Sequence, residues 1–261
     1  MTADPNEIVE SYARNWDGVT PYARATVVHT DGATAAKAGA KAIVTFEGEL
    51  IGWIGGGCLR GAVLRAARQA MDSAMPRLIR VRPKEQISAP RDPDGVELHA
   101  SGCPGKGKAD VFIEPIMPTP PLIIIGTSHI ARALSELAAG LSLEIVPVAG
   151  AEDGPLAALQ QRPGLERGFI VIATQGTRDY AALACALATD APYVAFISSR
   201  AKGEAMRDKL AADGVSEASL ARLRAPAGLD IGARTPTEIA ISILAEIISL
   251  RQAVPRTLKH E

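Results

Sequence analysis

The sequence predicts an α/β protein in two parts, an N-terminal α+β domain followed by a C-terminal doubly wound parallel-sheet domain. Three observations predict it. A proline-dense segment, Pro115 to Pro121, interrupts a chain of 261 residues, which exceeds the usual size of one domain. Ahead of that segment, short β-branched runs are separated by glycine-containing turns. Behind it, apolar runs without alternation take turns with helical patterns, as strands covered on both faces do.

In the first half, ARATVVHT, KAIVTF and LIGWI read as three strands, with Glu47-Gly48 suited to the hairpin between the second and third. From Cys58 to Ala74 the residues Val63, Leu64, Ala67, Ala70 and Met71 recur at helical spacing, with Arg65, Arg68 and Asp72 on other faces. RLIRV, VELHA and ADVFIEP supply further strands. Lys84 to Gly95 reads as a polar, proline-punctuated loop long enough to be mobile. The prolines of PIMPTPP support neither helix nor central strand, so the predicted division is 1–115, a stiff linker at 116–121, and 122–261.

In the second half, LIIIG is followed at once by a helical pattern from Ser128 to Ala139. LEIVPV, GFIVIAT and PYVAFIS follow as buried strands, with helical patterns at Arg178 to Ala188 and Ala201 to Ala212. Thr235-Pro236-Thr237-Glu238 places a capping hydroxyl, a proline at the first helical position and a glutamate that completes a capping box. The helix it opens, IAISILAEIISLR, is apolar around much of its circumference, which predicts burial against the sheet or at a subunit contact.

Charge and composition narrow the function. A formal net charge of -1 gives no electrostatic footprint for nucleic acid or an anionic membrane surface, and an aromatic content of 4% suits nucleotide-binding α/β folds better than β-sandwiches. No apolar stretch reaches the roughly 18 to 20 residues a bilayer needs, and MTADPNEIVESYARN lacks the basic-then-apolar order of a secretory signal, so a cytoplasmic protein is expected. Three cysteines, Cys58, Cys103 and Cys185, cannot all pair, and that compartment keeps thiols reduced.

The sharpest local feature is Gly55-Gly56-Gly57-Cys58, set between a strand and an amphipathic helix. First-turn amides there have no partner within the helix, glycines allow close approach and positive φ, and the helix dipole adds about half a positive charge. The same field favours the thiolate of Cys58, a nucleophile and soft-metal ligand; the competing reading is a tight turn with a small buried thiol. Cys103 stands in a second glycine-rich segment, Ser101-Gly102-Cys103-Pro104-Gly105-Lys106-Gly107, beside a lysine able to steady an anion. Cys185 lies among alanines and reads as packing.

In the second half, Gly126-Thr127-Ser128-His129-Ile130-Ala131 occupies the place of a Rossmann Gly-x-Gly-x-x-Gly fingerprint but keeps only its first glycine. No acid follows LEIVPV directly; Glu152 and Asp153 come a few residues late. Binding of NAD(P) is therefore poorly supported. Because ligands of open α/β sheets lie outside the carboxyl ends of the strands, Gly126, Ser128, His129, Gln175, Ser199 and Arg200 are the candidate contacts in this half.

With these residues in view, the chain resembles the XdhC/CoxI family of molybdenum hydroxylase accessory proteins, from about Ala23 to Arg251. WIGGGCLRGAV resembles its glycine-triplet and cysteine motif, GCPG followed by ADVFIEP its second cysteine motif, and LIIIGTSHIARAL its Rossmann entry; ATQGTRD, SSR and APAGLDIGARTPTEIAISILAEI complete the series. The resemblance implies a chaperone that binds molybdopterin or its cytosine dinucleotide, assists sulfuration of the metal, and delivers the cofactor to an enzyme of the xanthine dehydrogenase or carbon monoxide dehydrogenase type. It implies cofactor contacts at Gly55, Gly56, Gly57 and Cys58, with Cys103 contributing. Cys58 and Cys103 are then candidate sulfur carriers and candidate contacts to molybdenum or copper. Implied partners are the apo molybdenum hydroxylase, a cysteine desulfurase, a molybdopterin nucleotidyltransferase, and a second copy in a homodimer. Arg60 stands where the family commonly has glutamate, and Pro104 where it has glycine, which puts the metal-proximal role in question.

Two other readings stay open. A nicotinamide-dependent oxidoreductase would bind its dinucleotide in the second half and use Cys58 or His129 for chemistry. A sulfurtransferase would carry a persulfide on Cys58 or Cys103.

Overall fold

The computed structural model describes residues 4–101, 107–149, 159, 162, 164–176 and 178–251. The chain divides into two compact units, Met1–Pro118 and Thr119–Glu261.

The first unit opens with helix α1 (Pro5–Arg14), started by Asp4, whose carboxylate accepts from the Asn6 amide at 2.9 Å, and by proline in its first turn. Its one buried side chain, Val9, packs with Tyr22 and Ile43, and the rings of Tyr12 and Trp16 meet Tyr22 edge-on. Six strands follow: β1 (Tyr22–Asp31), β2 (Lys41–Thr45), β3 (Leu50–Gly52), β4 (Arg77–Pro83), β5 (Glu97–Ser101) and β6 (Lys108–Ile116). They form one sheet in the order β3-β2-β1-β6-β4-β5, antiparallel except for the parallel pair β4 and β5. The β2–β3 hairpin turns at Glu47-Gly48, with Gly48 at φ 89°.

Between β3 and β4 lies helix α2 (Gly57–Ser73). Its buried stripe of Ala62, Val63, Ala66, Ala67 and Ala70 packs on Ala23, Ala25, Val27, Ile79, Val111 and Ile113. Alanines on both surfaces let helix and sheet approach closely. The helix stops at Ala74 in the left-handed region, where the Met75 amide reaches back to the Ala70 carbonyl.

Two segments differ from expectation. The stretch Lys84 to Gly95 is tied down: Arg80 donates to Asp92 and, at 2.8 Å, to Asp94, and the Leu98 amide bonds to Pro90 O at 2.9 Å. Cation and acids stand twelve and fourteen residues apart, a coincidence that local sequence does not display. The proline-dense segment is only partly linker, since Pro115 and Ile116 complete β6 against Ala23 and Tyr22, and Pro121 begins the next strand. Proline is tolerated at 115 because β4 ends its pairing with β6 at Ile113 and requires no donor beyond it.

The second unit alternates strand and helix: β7 (Pro121–Ile125), α3 (His129–Ala138), β8 (Glu144–Val148), β9 (Phe169–Ile172), α4 (Asp179–Leu187), β10 (Tyr193–Phe196), α5 (Arg200–Ala212), the short α6 (Glu217–Leu220), β11 (Leu223–Arg224) and α7 (Pro236–Arg251). The strands form a parallel sheet ordered β11-β10-β9-β7-β8. Alternate residues of each strand face opposite sides. Ile123, Ile125, Ile170, Ile172, Val194 and Phe196 meet α4 and α5, while Leu122, Ile124, Val171 and Ala195 meet α3 and α7. The sheet is covered on both faces, so its strands read as continuous apolar runs. Strand order reverses between β7 and β9, which places the topological switch point outside Ile125 and Ile172. No helix among the described residues is long and apolar enough to cross a membrane.

Candidate functional site

In the first unit, three glycines carry the chain from β3 into α2, each doing something different. Gly55 sits at φ 121°, and a Cβ there would lie 2.9 Å from Ala36 Cβ, so only glycine fits. Gly56 is the N-cap residue at φ -73° and ψ 174°, an extended conformation open to any residue, and Gly57 begins the helix. A Cβ at either would meet nothing within 4 Å. The expectation of positive φ therefore holds for Gly55 alone; what Gly56 and Gly57 provide is bare backbone beside open space.

No side chain caps α2, and its first turn carries no acid. The Gly56 carbonyl accepts from the amides of Leu59 at 3.1 Å and Arg60 at 3.4 Å. Beside Gly56 and Gly57 is a cavity of about 120 Å³, also lined by Thr34, Leu59, Ser101 and Gly107. That is the share of about four liquid water molecules, enough for a tetrahedral anion. At its far wall Gly107 passes so close to the Ala33–Thr34 backbone that a Cβ would lie 2.5 Å from Ala33 O. Ser101 and Gly107 bracket Cys103 in the sequence, so both glycine-and-cysteine segments border one cavity. Cys103 itself, with Gly102, Pro104, Gly105 and Lys106, lies outside the described residues, as do Glu152, Asp153 and Thr177. Of Cys58 only the backbone is described, in the first turn of α2. Among the described residues, no group of three or more His, Cys, Asp or Glu side chains could hold a metal ion. Cys185, half-buried in α4, has its thiol pKa pushed up by burial.

In the second unit, Gly126 ends β7 at φ 115°, where a Cβ would lie 2.5 Å from Ala173 O. This glycine serves the close passage of two neighbouring strand ends. The Ser128 hydroxyl is buried and caps α3, accepting from the Ala131 amide at 3.1 Å, while His129 opens that helix in an exposed position. Gln175, exposed and at φ 53°, follows β9 on the opposite lip of the switch point. Ser199 caps α5 through the Lys202 amide at 3.3 Å, and Arg200 is the first residue of that helix. The structure thus brings Gly126, Ser128, His129 and Gln175 to the β7/β9 rim and places Ser199 and Arg200 one strand further along.

Two carboxylates, Asp179 buried beside this rim and Glu246 half-buried on α7, are absent from the candidate contacts named from the sequence. Asp179, 5% exposed, accepts from Thr174 Oγ1, from the Gly176 amide at 3.1 Å, and pairs with Lys202 Nζ at 2.5 Å. Burial alone would raise its pKa, but Lys202, Thr174 and Gly176 outweigh that and hold the carboxyl below the usual range. Glu246 on α7 accepts from the Tyr193 hydroxyl at 2.7 Å and the Gly228 amide at 3.0 Å; burial and this carboxylate push the Tyr193 phenol upward. The available signals were an acid at the head of a helix pattern, and a tyrosine and a glutamate each standing inside apolar runs.

A helix entrance without a side-chain cap in one unit, and a doubly wound parallel sheet with a polar rim in the other, define a two-unit α/β protein. The chain belongs to the XdhC and CoxI family. The XdhC and CoxI family model matches residues 16–82, and the XdhC Rossmann domain model matches residues 122–247. The chain is 31% identical over 255 residues to the uncharacterized protein YqeB of Escherichia coli K12, covering 90% of this chain and 44% of that one, so it spans less than half the length of this curated relative. A crystal structure described as a xanthine dehydrogenase from Bacillus halodurans is similar over 98% of each chain, at 19% identity and a TM-score of 0.42, too remote to carry an argument.

Proposed function

We propose that this protein is a maturation factor for molybdenum hydroxylases, which holds molybdopterin or its dinucleotide and passes it to the apo enzyme. Family membership supports the general role. The observation that carries the reading is the shared cavity: Gly56 and Gly57 at an uncapped helix N-terminus on one side, and the two ends of the Cys103 segment on the other. Bare amides and a helix dipole suit the phosphate of a pterin cofactor. A Cβ at position 56 or 57 would stand in that space, so the residues present fit the group.

When bound, the cofactor would supply a molybdenum centre for the recipient enzyme's chemistry. The chain's own residues do the rest. The α2 entrance binds and orients the phosphate, and Cys58, in the first turn of α2, supplies a soft sulfur donor for molybdenum or carries sulfur received from a cysteine desulfurase. A carrier must release its load, so affinity is moderate and docking on the recipient shifts the balance.

The test is to isolate the full chain anaerobically from a host that makes molybdopterin, then measure pterin fluorescence after oxidation, together with molybdenum. Co-purified pterin, at a sub-stoichiometric level consistent with moderate affinity, is expected. Neither pterin nor molybdenum in the purified protein would refute the proposal.

A further inference from the structure

Beyond β10 the chain turns at Ser198 and Ser199 into α5, and beyond β11 it runs through Pro226 to Ala233 before α7. These two stretches line a cavity of about 600 Å³, within the roughly 300 to 1,000 Å³ range of small-molecule sites. One wall is fixed in advance. Gly228, at φ 89°, passes so close to α7 that a Cβ would lie 2.3 Å from Ser242 Oγ, and its amide is held by Glu246. The Ala227 amide bonds to Phe196 O at 3.1 Å and the Leu229 amide to Ser242 O at 3.2 Å. A pinned loop of this kind loses little freedom when a ligand arrives.

The residues just past the pin are left in water. Leu229 and Ile231, on the cavity wall, are 43% and 53% exposed. Arg200 and Asp230 line the same cavity, and neither side chain has an ion pair or hydrogen bond to any described residue. Opposite charges that border one cavity without neutralising each other suit a ligand with its own polarity, an anion at one end and N–H donors at the other. Apolar side chains on the same cavity wall suit a flat ring.

We infer that this cavity binds a phosphorylated 2-amino-4-oxopyrimidine ring, the edge common to pterins and guanine, with Asp230 accepting its two adjacent N–H groups and Arg200 holding the phosphate. The ring packs against Leu229 and Ile231. A carboxylate's two oxygens match a side-by-side N–H pair, whereas cytosine offers one amino group next to an acceptor nitrogen that would face the carboxylate unpaired. This inference rests on the proposed pterin-handling role and adds a second binding station in the Rossmann unit, separate from the α2 entrance.

The experiment titrates the full chain with neopterin monophosphate, GMP, CMP, and the unphosphorylated neopterin and guanosine. Neopterin monophosphate and GMP should both bind about ten-fold or more tightly than CMP, the worth of one hydrogen bond to a charged group, and the tighter of the two identifies the ring. Asp230→Asn should remove that preference by weakening those two ligands and not CMP. Arg200→Ala should weaken every phosphorylated ligand about ten-fold and leave neopterin and guanosine unchanged. Both side chains are exposed, so unchanged melting temperatures are expected to show intact folds. Equal binding of CMP, or an Asp230→Asn effect shared by CMP, would overturn the inference in favour of ribose recognition. If both variants bind neopterin monophosphate as the wild type does while substitution at Gly56 abolishes molybdopterin binding, this inference fails and the proposed function stands. If neither neopterin monophosphate nor GMP binds the wild-type chain, this station fails; if molybdopterin does not bind either, the proposed function fails with it.

Discussion

Replacing Gly56 by serine separates an anion-binding role for the α2 entrance from a merely structural one, because the two predict opposite signs. Three helices of this chain begin with a serine whose hydroxyl accepts from the amide three residues on: Ser128 at φ -63° and ψ 163°, Ser199 at -67° and 160°, Ser216 at -63° and 150°. Gly56 has nearly the same backbone, -73° and 174°, and open space where the side chain would stand. Serine there should take the Leu59 amide without strain. Capping relative to glycine contributes a few tenths of a kcal/mol, and restricting the unfolded chain adds a comparable amount, so the variant should gain about 1 kcal/mol. For a unit of this size that raises the melting temperature by roughly 3 to 6 °C. The same hydroxyl occupies the cavity and presents lone pairs to an arriving phosphate, which should cost at least about ten-fold in affinity. Thermal melting of the ligand-free chain and anaerobic titration with molybdopterin, followed by pterin fluorescence, read the two effects. A variant that melts higher yet binds as tightly as wild type would refute the site; one that melts lower would refute the capping geometry.

Other perturbations follow from single contacts. Cys58→Ala leaves the glycine backbone in place, so co-purified protein should keep its pterin and lose molybdenum or labile sulfur, as measured by elemental and mass analysis. Gly126→Ala forces a Cβ to within 2.5 Å of Ala173 O at a positive φ, and should destabilise the second unit by about 3 kcal/mol in denaturant titration. Asp179→Asn removes the anionic partner of Lys202 and should cost about 2 kcal/mol at neutral pH. Because the folded carboxyl has a lowered pKa, its contribution is present above the ordinary carboxylate range and disappears as pH falls through the folded value; the gap between variant and wild type should therefore shrink with acidification, and a gap that widens as pH falls would contradict this.

What could be read in advance divides along physical lines. The strands of the second unit are buried on both faces, so apolar runs alone announce them, and Gly126 marks the end of β7 because no side chain fits beside Ala173. Helix α2 declared itself through its periodicity. Helix α1 went unread although Asp4-Pro5 is a start signal, because only Val9 is buried and the pattern behind it is thin. The tethering of the Lys84–Gly95 segment depends on which acids reach Arg80 once β4 has been laid down. At the candidate site, the glycine triplet was legible as a turn, but not which glycine takes positive φ. That the Ser101 to Gly107 segment borders the same cavity depends on β4, β5 and β6 lying side by side, and Arg200 and Asp230 are brought together only by the return of the chain after β11.

The most direct test of the central claim is backbone hydrogen exchange of the full chain, with and without molybdopterin under anaerobic conditions. Slowed exchange concentrated in residues 55–58 on cofactor addition is the predicted result, since those amides, ahead of the Leu59 and Arg60 amides already bonded to the Gly56 carbonyl, would carry the phosphate. Tight cofactor binding that leaves exchange across this turn unaltered would contradict it.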